Sequence, residues 1–488
     1  MTKLRTFTFE PARSHERDRA KEPKLSRLAC IVFALCLTAV TASPAQTFEI
    51  LLDFNRSDGA NPGLMSLVQG TDGNFYGTTG NGGTYNRGTI FKITSEGKLT
   101  TVHNSCSLPN CIDGEYPNGL VQASKGDFYG TAPFGGVYTL GVIFRITSGG
   151  TLTILHSFDG TDGLNPESTL IQATDGDFYG TTSAYYGNLV GTVFKITPQG
   201  DFTTLHTFCS LARCRDGKFP VGGLVQATNG DFYGTTVEGG AFGYGTVFRM
   251  TSEGALTTLH SFDGTDGSGP YATLVQATDG DFYGITNAAG NQFTGTVFKI
   301  TPGGKLTTLH TFCSIPGCGD GFDLTGPLVQ ATDGNLYGTT QEGGADYCCG
   351  TVFQITPEGT LTTLHSFDAT HGGQPGGGLL QATNGDFYGA TSIGGIYSDG
   401  TVFDLSVGLG AFVKTQPSSG KVGTKVIILG NNLTDATAVI FNGTTASFNI
   451  VSDTDIETSV PQGATTGTVQ VTTSGGTLKS NVAFRVTK

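Results

Sequence analysis

The stretch that decides the fold is LVQATDGDFYG, residues 274–284. Near-copies of it recur every 50 to 54 residues, measured from one FYG or LYG tyrosine to the next: Tyr76, Tyr129, Tyr179, Tyr233, Tyr283, Tyr337 and Tyr388. In each copy, two short runs rich in Val, Thr and aromatic residues flank an Asp-Gly, Asn-Gly or Lys-Gly dipeptide. Asp-Gly and Asn-Gly are typical of two-residue hairpin turns, because both turn residues need positive φ. The stretch therefore predicts a β-hairpin that the chain builds seven times.

Each repeat continues past the hairpin with a Gly-rich loop, a run like GTVFKIT, a turn such as PEG, and a run like LTTLHSF. Four strands without helices at this period predict four-stranded blades of a β-propeller. The array begins with a lone fourth-strand run, residues 48–54, and its last copy stops before its own fourth run. This offset predicts a closed seven-bladed propeller whose N-terminal strand seals the last blade, since closure removes open sheet edges. An open solenoid is the alternative, and it would not need the offset.

Antiparallel connectivity predicts two different faces for such an array. The short, uniform first-to-second and third-to-fourth turns share one face. The second-to-third loops and the blade-to-blade loops share the other face, and their sequences vary. We therefore expect any function to reside on the variable face.

The pattern changes after residue 409. Alternating runs such as KVIIL and TVQVTT predict a small all-β sandwich over 410–488, following a propeller over 46–408. Within this segment, PSSGKVGTKVIILGNNL, VIFNGTTASF and VPQGATTGTVQV resemble an IPT/TIG domain, an immunoglobulin-like module. The array itself resembles the GloVer-type tandem repeats of exported bacterial proteins. Neither resemblance implies a defined activity.

The N-terminus predicts an export signal over 1–45. A basic leader precedes the apolar run LACIVFALCLTAV, and small residues at 43 and 45 fit a cleavage site. An uncleaved membrane anchor is the alternative, but the run is shorter than the ~20 residues that a spanning helix needs. The predicted location is therefore extracellular or on the cell surface, with no membrane span after removal of the signal.

The net charge of the chain limits the classes of molecule that it is expected to bind. The chain carries a formal charge of −13, and removal of the leader, which carries +4, leaves −17. Nucleic acid is excluded as a partner, because a phosphate backbone demands basic surfaces. A polysaccharide or protein ligand remains. The oligomeric state stays open.

Eight cysteines remain after the leader, and an even number in an exported chain favours disulfides over metal ligands. Three pairs share the CxxxxC spacing, and two further cysteines are adjacent, their mutual pairing being left open: Cys106, Cys111, Cys209, Cys214, Cys313, Cys318, Cys348 and Cys349.

Aromatic residues in the second-to-third loops are the candidate ligand site, since flat rings stack on apolar ligand faces. Their alternative role is packing between blades. The candidates are Tyr85, Tyr138, Tyr185, Tyr186, Phe242, Tyr244, Tyr347 and Tyr397.

A Gln in every first strand and a His in six fourth strands recur at fixed positions, and they predict repeated hydrogen bonds rather than a metal site. No cofactor is expected. Two FDGTDG turns could hold calcium through paired carboxylates, although Asp-Gly is also ordinary turn chemistry; these residues are Asp159, Asp162, Asp263 and Asp266.

An enzyme is the alternative function: a secreted carbohydrate-active hydrolase or lyase. Such an enzyme uses two carboxylates ~5–9.5 Å apart. No spacing pairs the acids that lie outside the strict repeat or share a loop position: Glu115, Glu167, Glu238, Asp323, Glu342, Asp346 and Asp399. No catalytic residue is predicted, and a binding protein is the favoured interpretation.

Overall fold

The computed structural model describes residues 46–64, 66–183, 190–288, 294–345 and 347–487. The predicted export signal lies outside these residues. In the described part of the chain, strands dominate and the helical elements are three single 3₁₀ turns: Pro62–Leu64, Pro109–Cys111 and Ala212–Cys214. None of the described helices is long and apolar enough to cross a membrane.

Seven four-stranded antiparallel sheets account for the described strands between 47 and 406. Sheets 1 to 6 each take four consecutive strands from β2 to β25, and sheet 7 has the order β1, β28, β27, β26. The strands are β1 (Thr47–Asp53), β2 (Val68–Gln69), β3 (Phe75–Thr79), β4 (Thr89–Ile93), β5 (Leu99–Asn104), β6 (Leu120–Gln122), β7 (Phe128–Ala132), β8 (Val142–Ile146), β9 (Leu152–Ser157), β10 (Ile171–Gln172), β11 (Phe178–Thr182), β12 (Thr192–Ile196), β13 (Phe202–Thr207), β14 (Val225–Gln226), β15 (Phe232–Thr236), β16 (Thr246–Met250), β17 (Leu256–Ser261), β18 (Val275–Gln276), β19 (Phe282–Thr286), β20 (Thr296–Ile300), β21 (Leu306–Thr311), β22 (Val329–Gln330), β23 (Leu336–Thr340), β24 (Thr351–Ile355), β25 (Leu361–Ser366), β26 (Leu380–Gln381), β27 (Phe387–Thr391) and β28 (Thr401–Ser406). The prediction of an all-β, propeller-like repeat protein is confirmed at this level.

Packing between sheets explains the FYG motif. Successive strand residues point to opposite faces, so Phe and Tyr of one motif reach the two neighbouring sheets. The Tyr233 ring stacks on Phe282 of the next sheet at 4.1 Å, and Tyr388 of sheet 7 stacks on Phe75 of sheet 1 at 4.1 Å. The glycine is required because a Cβ at Gly284 would lie 2.5 Å from the Phe298 ring. The motif is thus the hydrophobic joint between sheets.

The recurrent Gln forms a second joint. Each Gln side-chain oxygen accepts from the turn residue of the preceding sheet, as when Thr278 N–H donates to Gln330 Oε1 at 2.8 Å. The same contact links sheet 7 to sheet 1, where Thr383 N–H donates to Gln69 Oε1 at 3.1 Å. The seven contacts therefore return to the sheet from which they start. The predicted hydrogen-bonding role of these glutamines is confirmed.

The C-terminal part has a separate core. Two four-stranded antiparallel sheets, β29-β31-β35-β34 and β33-β32-β36-β37, pack with a two-stranded parallel pair, β30-β38, around buried residues that include Val426, Phe441 and Phe484. The strands are β29 (Lys414–Gln416), β30 (Ser419–Gly420), β31 (Lys425–Leu429), β32 (Ala438–Phe441), β33 (Thr444–Ala446), β34 (Phe448–Ile450), β35 (Asp455–Ser459), β36 (Val469–Thr473), β37 (Gly476–Lys479) and β38 (Arg485–Val486).

These C-terminal sheets dock on the face that carries the hairpin turns between the first and second strands of each sheet, which we call the turn face. Lys414 Nζ donates to Gln381 O, Gln416 Nε2 to Gln122 O, Thr454 Oγ1 to Thr71 O, and Arg485 to Thr228 O. The acceptors belong to sheets 7, 2, 1 and 4, so the docked part spans the turn face from one side to the other. The sequence did not indicate this docking.

Candidate functional site

The connections from one sheet to the next share a strained backbone position. Seven equivalent residues adopt the left-handed conformation, with φ between 51° and 59°: Asn61, Tyr116, Asn165, Phe219, Gly269, Asp323 and Gln374. This conformation is costly for residues other than glycine, and such strain concentrates at functional sites. The backbone is held there by the preceding sheet, as when Tyr116 N–H donates to Arg87 O at 2.8 Å.

Two positions further along, six of these seven connections contribute a residue to one central cavity of about 590 Å³. The six residues at this equivalent position all differ: Asn118, Glu167, Val221, Tyr271, Thr325 and Gly376. Other connecting-loop residues and the ends of second strands complete the lining, among them Ser66, Tyr116, Thr169, Thr273 and Gln341. We call this the central cavity, and the face on which it opens the loop face. The repeats differ from one another at this position.

Several polar groups of the cavity are fixed by the protein itself. Gln341 Nε2 donates to Thr325 Oγ1 at 2.8 Å, and Thr325 in turn donates to the carbonyl of Gly376 at 3.0 Å. Asn118 Nδ2 donates to Pro166 O at 3.0 Å. A site whose donors and acceptors are already oriented loses less entropy when a ligand binds.

Glu167 is the only carboxylate in the described lining of the cavity, which includes no Lys, Arg or His. Burial raises the pKa of Glu167, and a hydrogen bond with Ser183 offsets part of that rise. No described cation lies within ion-pairing distance of this carboxylate. The cavity thus has one negative centre in a polar but otherwise uncharged lining.

Tyr116 is held at the cavity by its neighbours. Arg87 donates to the Tyr116 hydroxyl, and its guanidinium lies 5.4 Å from the ring centroid. Phe134 makes an edge contact at 5.9 Å, and Glu115 pairs with Arg87 at 3.2 Å. The ring is therefore fixed in place beside the cavity.

The predicted aromatic site lies elsewhere. The described candidates are exposed on the second-to-third loops, between 44% and 63% accessible, and none of them lines the central cavity: Tyr85, Tyr138, Phe242, Tyr244, Tyr347 and Tyr397. We call these six residues the aromatic rim. Tyr185 and Tyr186 lie outside the described residues. A ligand role for the rim stays a prediction.

The cysteines form four disulfides: Cys106–Cys111, Cys209–Cys214, Cys313–Cys318 and Cys348–Cys349. The structure thus joins the adjacent pair, which the sequence had left open. Among the described residues, Cys106, Cys111 and Glu115 bring metal-type donors together, but the two sulphurs are bonded to each other.

In sheets 1 to 5, the recurrent His forms a hydrogen bond with an Asp of the connection to the next sheet. Where that connection has two Asp-Gly dipeptides, as in sheets 2 and 4, the partner is the second Asp. His103 Nε2 lies 3.1 Å from Asp113 Oδ2, and His156 Nε2 lies 2.7 Å from Asp162 Oδ2. Sheet 6 departs from the pattern because His371 replaces the Asp, and burial lowers the pKa of His365 there. The predicted hydrogen-bonding role of the His is confirmed in these five sheets.

The proposed calcium ligands use their oxygens inside their own turns. Asp159 Oδ1 accepts from the Thr161 amide and hydroxyl at 2.8 and 2.7 Å, and Asp162 Oδ1 accepts from Asp159 N–H at 3.1 Å. Asp263 repeats this arrangement with Thr265, and Asp266 with Asp263 and His260. Calcium binding stays a prediction.

Of the acids considered for catalysis, Glu167 alone lines the cavity among the described residues. Glu115 pairs with Arg87, Glu238 with Lys218 at 2.6 Å, and Asp323 accepts from Asn287 at 2.6 Å. Asp399 lies 3.9 Å from Arg56, while Glu342 O accepts from the Phe322 amide. Asp346 lies outside the described residues.

Glu167 is recognisable in the sequence as an acid outside the strict repeat, but its place in the cavity is not. The available signal was variation within the repeat: the Asp, Gly and Pro of DGxxP recur in most copies, whereas the two residues before the Pro and the residue after it vary. That signal becomes meaningful only when the copies are aligned on their loops instead of on their strands.

Comparisons with solved structures give likeness in fold. The chain is 12% identical to the extracellular domain of a hybrid two-component system from B. thetaiotaomicron, covering 91% of this chain and 55% of that one, with a TM-score of 0.50. A fungal alcohol oxidase of the AA5 family, in complex with copper, is 11% identical to this chain. The match covers 89% of this chain and 98% of that one, with a TM-score of 0.48. The periplasmic gluconolactonase of Pseudomonas aeruginosa is 16% identical to this chain, and the match covers 66% of this chain and 93% of that one, with a TM-score of 0.42. At such identities the likeness concerns the fold alone.

No curated protein matches the sequence significantly. The family model described as the Gloeobacter/Verrucomicrobia repeat matches residues 37–226, 116–326 and 227–453, which together span most of the chain. The predicted resemblance of the array to these repeats is thereby confirmed, and the chain belongs to the Gloeobacter/Verrucomicrobia repeat family.

Proposed function

We propose that this chain is an exported extracellular or cell-surface binding protein that takes its ligand in the central cavity. The observation that carries the proposal is the set of six different residues that one equivalent repeat position presents to the cavity. Identical contacts elsewhere serve the fold, so a position that differs among the six copies lining the cavity is available for recognition. The ligand is a polysaccharide or a peptide, and the aromatic rim on the second-to-third loops is a second candidate contact surface.

The proposed architecture is a closed seven-bladed propeller over 46–408 followed by an IPT/TIG-like, immunoglobulin-like domain over 410–488. Pairing of β1 with β28 supports the closure, as do the hydrogen bonds that lead from sheet 7 back to sheet 1. The two four-stranded sheets around a common core support the C-terminal assignment.

The proposed location rests on the export signal over 1–45 and on the four disulfides. Disulfides persist in oxidising compartments and are rare in the cytosol. The acidic charge of the chain is compatible with a soluble exported protein.

The function is tested by screening the full exported chain on glycan and peptide arrays, together with the variants Val221→Phe and Val221→Thr. Val221 lines the cavity, so the larger Phe should fill part of it and abolish binding. The nearly isosteric Thr should retain binding. Ligand binding that survives Val221→Phe unchanged, with both variants folded, would show that the site lies elsewhere.

The alternative of a carbohydrate-active enzyme is not favoured. That mechanism needs a second acid near the first, and Glu167 is alone in the described lining. We therefore retain binding without catalysis as the proposal.

A further inference from the structure

The charge of the central cavity selects among ligands, and this inference rests on the proposed function of that cavity. Glu167 supplies the one negative charge of the described lining, and no basic side chain there opposes it. An anionic ligand would meet an uncompensated carboxylate at close range, where Coulomb energies are large in a partly dry site. The site therefore favours a ligand with a positive group.

The lining also contains two aromatic side chains, of which Tyr116 already has the Arg87 guanidinium 5.4 Å from its ring centroid. Tyr116 and Tyr271 both line the cavity. Aromatic faces attract ammonium groups and also stack on the apolar faces of sugars. The Tyr116 ring is already fixed by Arg87 and Phe134, so its orientation does not depend on the ligand.

Hydroxyl and amide groups make up much of the remaining lining. Nine such side chains belong to the described lining: Ser66, Thr78, Asn81, Asn118, Ser168, Thr169, Thr273, Thr325 and Gln341. They offer many donors and acceptors for a polyhydroxylated ligand. A lysine side chain would instead need an apolar channel for its four methylene groups, and the apolar side chains of the described lining are Val221, Ala272 and three prolines. The chemistry fits an amine-bearing sugar better than a basic peptide.

We propose that the central cavity binds a sugar residue with a free primary amine, and that Glu167 is the carboxylate that receives the ammonium group. The hydroxyl and amide side chains bind the sugar hydroxyls, and the tyrosines contact its apolar face. Burial, which favours the neutral form of the Glu167 carboxyl, is offset by the ammonium charge once the ligand is bound.

The test is calorimetric titration of the full exported chain at about pH 6.5, where a sugar amine is largely protonated. Short glucosamine oligomers are compared with the same oligomers N-acetylated, which keep the hydroxyls and lose the charge. We expect the N-acetylated oligomers to bind at least about tenfold more weakly. In Glu167→Gln the affinity for the amine oligomers should fall by about the same factor, so that the preference for amine over N-acetylated oligomers is lost.

Three outcomes would overturn the inference: equal affinity for the two oligomers, an unaffected Glu167→Gln variant, or binding of a trilysine peptide in place of the amino sugars. Thermal unfolding of Glu167→Gln verifies that the variant is folded. The proposed function fails separately, if ligands bind the wild-type chain but Val221→Phe leaves that binding intact. If neutral glycans bind the cavity and amine-bearing glycans bind no better, the proposed preference for an amino sugar is refuted. The cavity would then still be the binding site.

Discussion

The turn face and the loop face come from the same seven repeats and differ in what they repeat. On the turn face, each Gln oxygen accepts from the preceding sheet through the same contact seven times. On the loop face, the backbone repeats its left-handed turn, but the cavity residue two positions later differs in every copy that lines the cavity. The contacts that join neighbouring sheets thus recur from repeat to repeat. Side chains that take no part in these contacts can differ from one repeat to the next.

The docked C-terminal sheets sharpen this difference. Most of their hydrogen bonds to the turn face go to backbone carbonyls, including those of Gln381, Gln122 and Thr71, and Asn431 also contacts the Thr383 hydroxyl at 3.2 Å. Carbonyls are present whatever the side chain, so a uniform face suffices for this docking. The described lining of the central cavity on the loop face includes no residue of the C-terminal part.

Removal of the N-terminal strand is expected to have the largest effect on stability. It tests whether the regular contacts of the repeats stabilise the fold. Deletion of residues 46–55 removes β1, which pairs with β28, and also Phe54, a fully buried ring directly after the strand. The β28 edge would then be open, and an open edge also invites aggregation. We expect the thermal midpoint to fall by more than about 10 °C.

The control for this deletion is Thr47→Ala, an exposed change that keeps the backbone pairing of β1. Thermal unfolding followed by far-ultraviolet circular dichroism measures both. An unchanged midpoint in the deletion would contradict the role given to β1 and weaken the case for closure.

A smaller effect is expected from the buried Asp that anchors a loop-face connection. Asp113 has a fully buried side chain that accepts from His103, Ser107 and Leu108. Asp113→Ala leaves these donors without their acceptor, so we expect a loss of about 2–4 kcal/mol in urea unfolding at neutral pH. The exposed Asp159→Ala is the control and should shift unfolding far less.

The same residue predicts a pH dependence. Burial alone would raise the pKa of Asp113, but the hydrogen bonds from His103, Ser107 and Leu108 outweigh it and lower the pKa to about 2. The stabilisation is therefore present above the unfolded pKa of about 4 and is lost as pH falls towards 2. The difference between wild type and Asp113→Ala should shrink over that range; a constant difference would refute the assignment.

The smallest effect concerns sheet 7, whose third strand has an acid where sheets 1 to 5 have a Lys or Arg and sheet 6 has Gln354. Asp404 takes the place held by Lys195 and Lys299, and burial with the nearby Asp386 and Glu49 carboxylates raises its pKa to about 6. Because the folded pKa lies above the unfolded value, stability falls as pH rises from about 4 to about 6. We expect Asp404→Asn to gain about 1–2 kcal/mol at pH ~7 after allowance for solvent screening.

That gain should vanish near pH ~4, where the carboxyl of the wild-type protein is protonated. Lys299→Asn is the matched change in sheet 5, where the Lys pairs with Asp279 at 2.8 Å and Asp281 at 3.0 Å. It should destabilise the protein. Stabilisation by both substitutions would show that pairing at this position is irrelevant.

The aromatic rim and the central cavity show where prediction from sequence stopped. The rim was found because aromatic residues in loops are conspicuous, and five of its six described members stand at one offset from a glycine. The cavity position was not found, because Asn118, Val221 and Thr325 share no chemistry. Only their common place around an axis makes them a site.

The sequence by itself determined the strands, their order and their number per repeat, because hairpin turns and alternating side chains are local properties. It also determined which residues repeat, and hence which contacts join the sheets. Only the tertiary structure decided that the C-terminal sheets cover the turn face and that Cys348 bonds to Cys349. It alone brought Glu167 and Tyr271 to one cavity, since residues some 100 positions apart in sequence meet only after the seven sheets have packed.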